Sequence, residues 1–468
     1  MTVASSTAVY AELLEKNRRY LWNPFTQMKT YLAGTPVIVE RAEGVKLVDV
    51  DGIEYYDGNS SLWLNVHGHN RRELNEAIVA QLERVAHSTL LGLANVPALE
   101  LAERLVELTP SRLTKVFYSD SGATAVEIGL KVALAYWRRV GQPEKSRFVA
   151  FRNGYHGDTV GSMSVGGIDL FHSEFGPLLF DCDRVSYPYA YRFPGTEAEC
   201  AAACLAELEA LFEAQAGQIA CLVVEPLIQA AAGMITMPPG FLAAVERLCR
   251  EHEVLLFADE VATGFGRTGE LFACEHEGVQ PDLLALGKGL TGGYLPVAAT
   301  LTSEAIYNAF YGDFVELKAL YHGHSFTGNQ LGCAAALASL DLFERDGVVR
   351  RVHDSTRLVA RRLEEIAALP HVGDVRQCGL MVGVELVADR ATREAFNWKA
   401  GTGLRVCRRA CELGMITRPL GDVVTFLPPL ASGADDLEAM LAILQEAISD
   451  VTGALPRSSG ATPGEARA

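Results

Sequence analysis

Apolar positions along this chain change their period several times, and the changes mark out its elements. Thr35–Arg41 and Val45–Val50 alternate as strands do, Asp51-Gly52 supplies a hairpin turn, and Ile53–Tyr56 resumes the strand. Ahead of them, residues 1–20 read as a frayed start followed by a short helix. From Glu73 to Leu108 the spacing is helical, with a break predicted near Pro97. Lys115–Tyr118 and Arg147–Phe151 are strand candidates on either side of a helix through Glu127–Arg138, and Glu197–Ala214 reads as a long helix. In the middle, Ile219–Glu225, Val254–Asp259 and Leu283–Gly287 are short, nearly all-apolar runs, with helical text such as Gly240–His252 between them. Strands covered by helices on both faces read this way. Ligands bind beyond the carboxyl ends of strands in such sheets, so Glu225, Asp259 and Lys288 are expected to converge on one site. Beyond residue 340 the pattern becomes a charged amphipathic helix (Ser339–Leu369), then strand-like pieces at Val372–Gln377, Met381–Val387 and Val423–Leu427.

The predicted class is α/β. Residues 1–65 form an N-terminal segment that contributes to a small domain and to the site. Residues 66–340 form a large domain with a mostly parallel, helix-covered sheet, and residues 341–455 a smaller α+β domain. The tail over 456–468 is expected to be disordered. With 468 residues, 49% of them hydrophobic, the chain can bury a large core. Its net charge of −17 argues against nucleic acid and anionic membranes as partners, while a local cationic pocket could still take a small anion. No run approaches ~18 uninterrupted apolar residues, and the start lacks the features of an export signal. The ten cysteines are scattered without a C-x-x-C pair, which suits buried free thiols and a reducing cytoplasm. The pairs His67/His69 and His322/His324 lack acidic or cysteine companions, so polar loop contacts are expected there and no metal.

Several stretches could carry chemistry, each beside a plainer alternative. A desolvated lysine at a strand end, Lys288 between two glycines, can act as nucleophile and proton carrier, and a deep aspartate, Asp259, can hold a pyridinium nitrogen protonated; the two could equally form a structural ion pair. Ser119–Thr124 lies between a strand and a helix and suits a phosphate, or is an ordinary N-cap. Tyr155, in Phe151–Asp158, could stack on a flat ring or be a core aromatic. Gly264–Gly269 satisfies G-x-G-x-x-G, the feature an NAD-dependent oxidoreductase would use. Asp259 and Glu260 beside it would repel a pyrophosphate, so a flexible, backbone-exposed loop is expected instead.

Taken together, LFADEVATGFGRTG, PDLLALGKGLTGGYLP, SDSGATAVE, FRNGYHGDT, VVEP and HGHSFTGNQL resemble, in order, the motifs of class III pyridoxal-phosphate-dependent aminotransferases of fold type I. LWNPFTQM, GNSSLWLNVHGHN, AHSTLLGLANVPA and TRPLGDVVTFLPPLA are similar to the branch that converts 8-amino-7-oxononanoate to its 7,8-diamine in biotin biosynthesis. The resemblance implies that Lys288 holds the cofactor covalently, that Asp259 pairs with its ring nitrogen, with Glu225 also at the cofactor, and that Tyr155 stacks on the ring. It implies Ser121, Gly122 and Ala123 at the phosphate, and Gly323, His324 and Ser325 reaching in from the second subunit of a homodimer. Arg418 would bind the substrate carboxylate; without the resemblance an interdomain salt bridge would be the default. Ser325 stands where the family usually has threonine. Phe25 and Leu62 stand where the branch using S-adenosylmethionine has tyrosine and tryptophan, leaving Trp63 as the only indole there. The text resembles the branch that uses lysine as donor, and these residues are expected along the substrate groove. An ω-amino acid or amine:pyruvate transaminase is the nearest alternative.

Overall fold

The computed structural model describes residues 8–453; the tail expected to be disordered lies outside them. Seven strands form the central sheet in the spatial order Lys115–Ser119, Ala298–Thr302, Leu283–Leu286, Leu255–Asp259, Ile219–Val224, Arg147–Phe151 and Asp183–Val185. All run parallel except Ala298–Thr302, which is antiparallel to both neighbours. The three middle strands, Ile219–Val224, Leu255–Asp259 and Leu283–Leu286, are buried at every position, because helices cover both faces. On one face Gly122–Arg139 lies across the sheet, close enough that a Cβ on Gly129 would sit 2.2 Å from Cζ of Phe257.

The N-terminal strands Val39–Glu43, Lys46–Asp49 and Glu54–Asp57 form an antiparallel meander, and Met415–Ile416 adds in parallel to the last of them. A further sheet comprises Val372–Cys378, Met381–Leu386, Val423–Phe426 and Pro419–Leu420, packed with the helices Val348–Ala367, Thr402–Glu412 and Ala434–Gly453.

Three expectations need correction. The helical stretch over Glu73–Leu108 is two helices, Arg72–Leu82 and Val96–Leu108. The break covers 83–95, and Pro97 sits in the first turn of the second helix behind an Asn95 cap, where its missing N–H costs nothing. Ser339–Leu369 is also two helices, Gln330–Arg345 and Val348–Ala367, separated at Gly347, whose φ is +55°. The strand Ala298–Thr302 was not anticipated: its small residues carry little apolar signal, although most of it is buried.

Candidate active site

Glu225, Asp259 and Lys288 do converge. All three line one cleft of about 450 Å³ at the carboxyl ends of the central strands, within the range of roughly 300–1,000 Å³ usual for small-molecule sites. Asp259 is 5% exposed. Its Oδ2 lies 2.7 Å from Nδ1 of His156, and its Oδ1 accepts the Val261 N–H at 3.1 Å. His156 is itself buried; burial alone would lower its pKa, but the bond to Asp259 and the charges of Asp259 and Glu225 carry it above the usual histidine value. Glu225 accepts the Tyr155 and Ala230 N–H groups at 3.0 and 3.2 Å, and burial pushes its carboxyl up to about 7.

Lys288 opens a 3-10 turn straight after the strand Leu283–Leu286 and Gly287, with a φ of +41°. Its ammonium lies 5.0 Å from the centre of the Trp63 ring. Burial lowers its pKa, against the opposing pull of Asp259 and Glu225. The structural ion pair is not formed. Asp259 is engaged by His156 and, among the described residues, Lys288 has no carboxylate partner.

Ser121 caps the helix Gly122–Arg139 in a capping box with Thr124, so the cap is real. The cap leaves Gly122 and Ala123 at the first turn lining the cleft, where N–H groups without helical acceptors and the helix dipole favour an anion. Only glycine fits at 122, since a Cβ there would lie 2.4 Å from Cγ1 of Val261.

Tyr155 is not a core residue. It lines the cleft, and its hydroxyl donates to Oδ2 of Asp158 at 2.7 Å. Burial and that acidic neighbour push the phenol well above its usual range. Around its ring stand Phe171 at 6.1 Å and a near-parallel His172 at 6.3 Å. Phe171 contacts Phe25 at 5.2 Å, and the Arg418 guanidinium lies 5.7 Å from the Phe25 ring. Phe25 and Leu62 are exposed. Among the described residues no carboxylate pairs with Arg418, so the interdomain salt bridge is not made; burial lowers its pKa while Tyr155 opposes. Gly323, His324 and Ser325 do not line this chain's cleft. His324 instead sits 3.1 Å from Oδ2 of Asp120.

Trp63 is delivered by backbone that chirality disfavours. Ser60, Ser61, Leu62 and Trp63 have φ of +46°, +48°, +79° and +69°, one left-handed turn without glycine, at roughly 1–2 kcal/mol per residue. The Gly264–Gly269 loop is the clearest correction: it is not backbone-exposed. Residues 263–269 are buried, because Phe265 packs on Phe272 and Phe343, and the Arg267 guanidinium donates to the carbonyls of Asn65 and Pro428, both at 2.7 Å. Burial drops that guanidinium to about 10. No dinucleotide can reach such a loop. Of the H-x-H histidines, His67 meets Ser339, His69 meets Asp57 and His322 meets Lys131. Among the described residues no group of three or more histidine, cysteine or acidic side chains could hold a metal.

The residues present suit a flat, phosphorylated pyridine aldehyde. A small-residue helix start can take the phosphate, an aromatic wall can take the ring, a buried carboxylate anchored from behind can hold a protonated ring nitrogen, and an unpaired amine stands ready for a carbonyl. Sequence reasoning missed His156 as the anchor of Asp259 and Phe171 as the ring that links Tyr155 to Phe25. The first stood inside the quoted motif, but its partner lies two strands away across the sheet.

The family described as aminotransferase class-III matches residues 29–448. Adenosylmethionine-8-amino-7-oxononanoate aminotransferase of Anoxybacillus flavithermus is 56% identical over 442 residues, covering 94% of this chain and 97% of the relative. The crystal structure of the protein with the same name from Methanocaldococcus jannaschii superposes with a TM-score of 0.90 at 45% identity, covering 94% and 99% of the two chains. An omega transaminase from Pseudomonas jessenii in complex with PMP gives a TM-score of 0.91 at 32% identity, covering 94% and 98%.

Proposed function

The chain belongs to the class III aminotransferase family, and we propose that it aminates 8-amino-7-oxononanoate to the 7,8-diamine in biotin biosynthesis, the substrate supported by the names of its relatives, with lysine as the amino donor. It is a pyridoxal-phosphate-dependent transaminase. When bound, pyridoxal phosphate supplies the carbonyl that accepts an amine and the ring that takes up the electron pair released at the donor carbon. The chain's residues divide the remaining work. Lys288 would hold the cofactor and, once its amine is free, move a proton between donor carbon and cofactor; burial keeps a larger share of that amine neutral than in an exposed lysine. Asp259, fixed by His156 and the Val261 N–H, would hold the ring nitrogen protonated, with Glu225 beside it. The first-turn N–H groups of Gly122 and Ala123, with the Ser121 cap, would take the phosphate, and Tyr155 would close on the ring.

The observation that carries the substrate reading is Arg418. A half-buried guanidinium with no carboxylate partner among the described residues is costly unless a ligand supplies one. Trp63 on the cleft wall, with Phe25 beside Arg418, suits a long aliphatic chain behind that carboxylate. The donor reading rests on Phe25 and Leu62: exposed apolar groups there offer a sulfonium nucleoside neither a phenol nor an indole. The names of the relatives favour S-adenosylmethionine as the second reading. Diamine formation from 8-amino-7-oxononanoate, with lysine or S-adenosylmethionine offered separately, tests both. Product with lysine alone is expected; product with the sulfonium donor alone overturns the donor, and no product with either overturns the substrate. We further place the enzyme in the cytoplasm as a homodimer, in which Gly323, His324 and Ser325 of each copy complete the other's site.

A further inference from the structure

The left-handed turn that carries Trp63 is held by a buried carboxylate. Asp57 ends the strand Glu54–Asp57, pinned between Lys46–Asp49 and Met415–Ile416, and is 1% exposed. Its Oδ1 accepts the Ser61 N–H at 2.9 Å, and its Oδ2 accepts the Ser61 hydroxyl at 2.7 Å and faces Nε2 of His69 at 2.9 Å. All of Asp57's carboxylate bonds here thus go to the turn or to a histidine that orients the carboxylate. Ser60 donates its hydroxyl to the Leu427 carbonyl at 2.5 Å, and the Trp63 indole N–H donates to Asn59 at 3.0 Å. Right-handed or extended backbone at 60–63 would carry the indole elsewhere. In the observed conformation it stands 5.0 Å from Lys288 and is only 6% exposed. Serine, leucine and tryptophan have no intrinsic preference for this region, so the conformation must be imposed by these bonds.

We propose that Asp57, oriented by His69 and acting through Ser61, is a positioning residue that locks the left-handed turn and so sets Trp63 as a fixed wall of the substrate cleft. The role of that wall rests on the transaminase reading above; the locking of the turn does not. The test starts from the full-length apoprotein carrying Trp22→Phe and Trp398→Phe, which removes the two highly exposed indoles and leaves Trp63 and Trp137, both buried. Acrylamide should quench this background weakly. Adding Asp57→Ala should raise the quenching constant at least twofold, and the rise should vanish when Trp63→Phe is also present. In the holoenzyme Asp57→Ala should raise KM for the amino acceptor about tenfold while kcat changes less than threefold. Should Asp57→Ala not fold, Ser61→Ala serves instead: it removes the hydroxyl bond to Asp57 and keeps the left-handed φ penalty, so the turn is held less firmly and Trp63 quenching and KM should still rise. Unchanged quenching and KM in a folded variant of either kind overturn the proposal. Absence of transamination in the unsubstituted enzyme would instead sink the functional reading, and the quenching result would still decide the turn.

Discussion

Two titrating groups at the site make opposite demands on pH. Burial lowers the Lys288 amine, so in the apoprotein it should react with an acylating reagent at a lower pH than an ordinary lysine. Competitive acetylation with peptide mapping across a pH series should give a half-modification point for Lys288 below 10.5, the unperturbed value. Glu225 is displaced upward, from 4.5 to about 7. Between those two values the folded state holds a proton that the unfolded chain has already released, so stability falls as pH rises across that window. His156 acts in the same direction. Its raised value stabilises the fold below 6.5, and that contribution is lost as pH climbs through the folded value. Glu225→Gln cannot titrate, so the urea midpoint of its apoprotein should vary less between pH 4.5 and 7 than that of the unsubstituted chain. An equal slope in the two proteins would mean that Glu225 is ionised throughout.

Elements show where the sequence was legible and where it was not. The runs at 219–225, 254–259 and 283–287 could be read because strands sealed on both faces must be apolar throughout, and their polar ends then mark the ligand edge. The helix start at Ser121 was readable because a cap is local chemistry. What stayed hidden depends on partners distant in sequence. His156 draws its role from Asp259, 103 residues on, and the glycine-rich loop at 264–269 is buried through Arg267 bonds to Asn65 and Pro428. The turn at 60–63 was hidden differently: its anchor is near in sequence, but serine, leucine and tryptophan carry no mark of a left-handed backbone. Gly129 poses the same contest between local preference and packing. Alanine is favoured in a helix interior by about 0.8–1.0 kcal/mol, while a Cβ 2.2 Å from Phe257 forces a repacking that typically costs 1–3 kcal/mol. Packing should win, so Gly129→Ala should lower the thermal midpoint, by roughly one to two degrees in a chain this long. Adding Phe257→Leu should recover part of the loss; a higher midpoint for the single variant would show that the helix can lift off the sheet freely.

At the scale of the whole molecule, one segment is too apolar for water. Tyr311, Phe314, Val315, Leu317, Tyr321 and Phe326 are 61–92% exposed, and the stretch runs through Gly323, His324 and Ser325, which do not line their own chain's active-site cleft. An isolated copy would pay a hydration cost that a second copy, in the homodimer proposed above, would remove. Each chain also carries a net charge of −17, so two copies repel one another at long range while their apolar faces attract at contact. Repulsion is screened by salt and apolar burial is not weakened by it. Association should therefore tighten between low ionic strength and about 0.5 M, the reverse of an interface held by ion pairs across it. Light scattering should give twice 50.6 kDa for the intact protein. Phe314→Glu should shift mass toward one copy most strongly at low salt, and with the partner's loop gone, cofactor affinity and transamination should fall together. A salt-insensitive dimer would place the interface elsewhere, and a fully active single copy would show that each chain closes its own site.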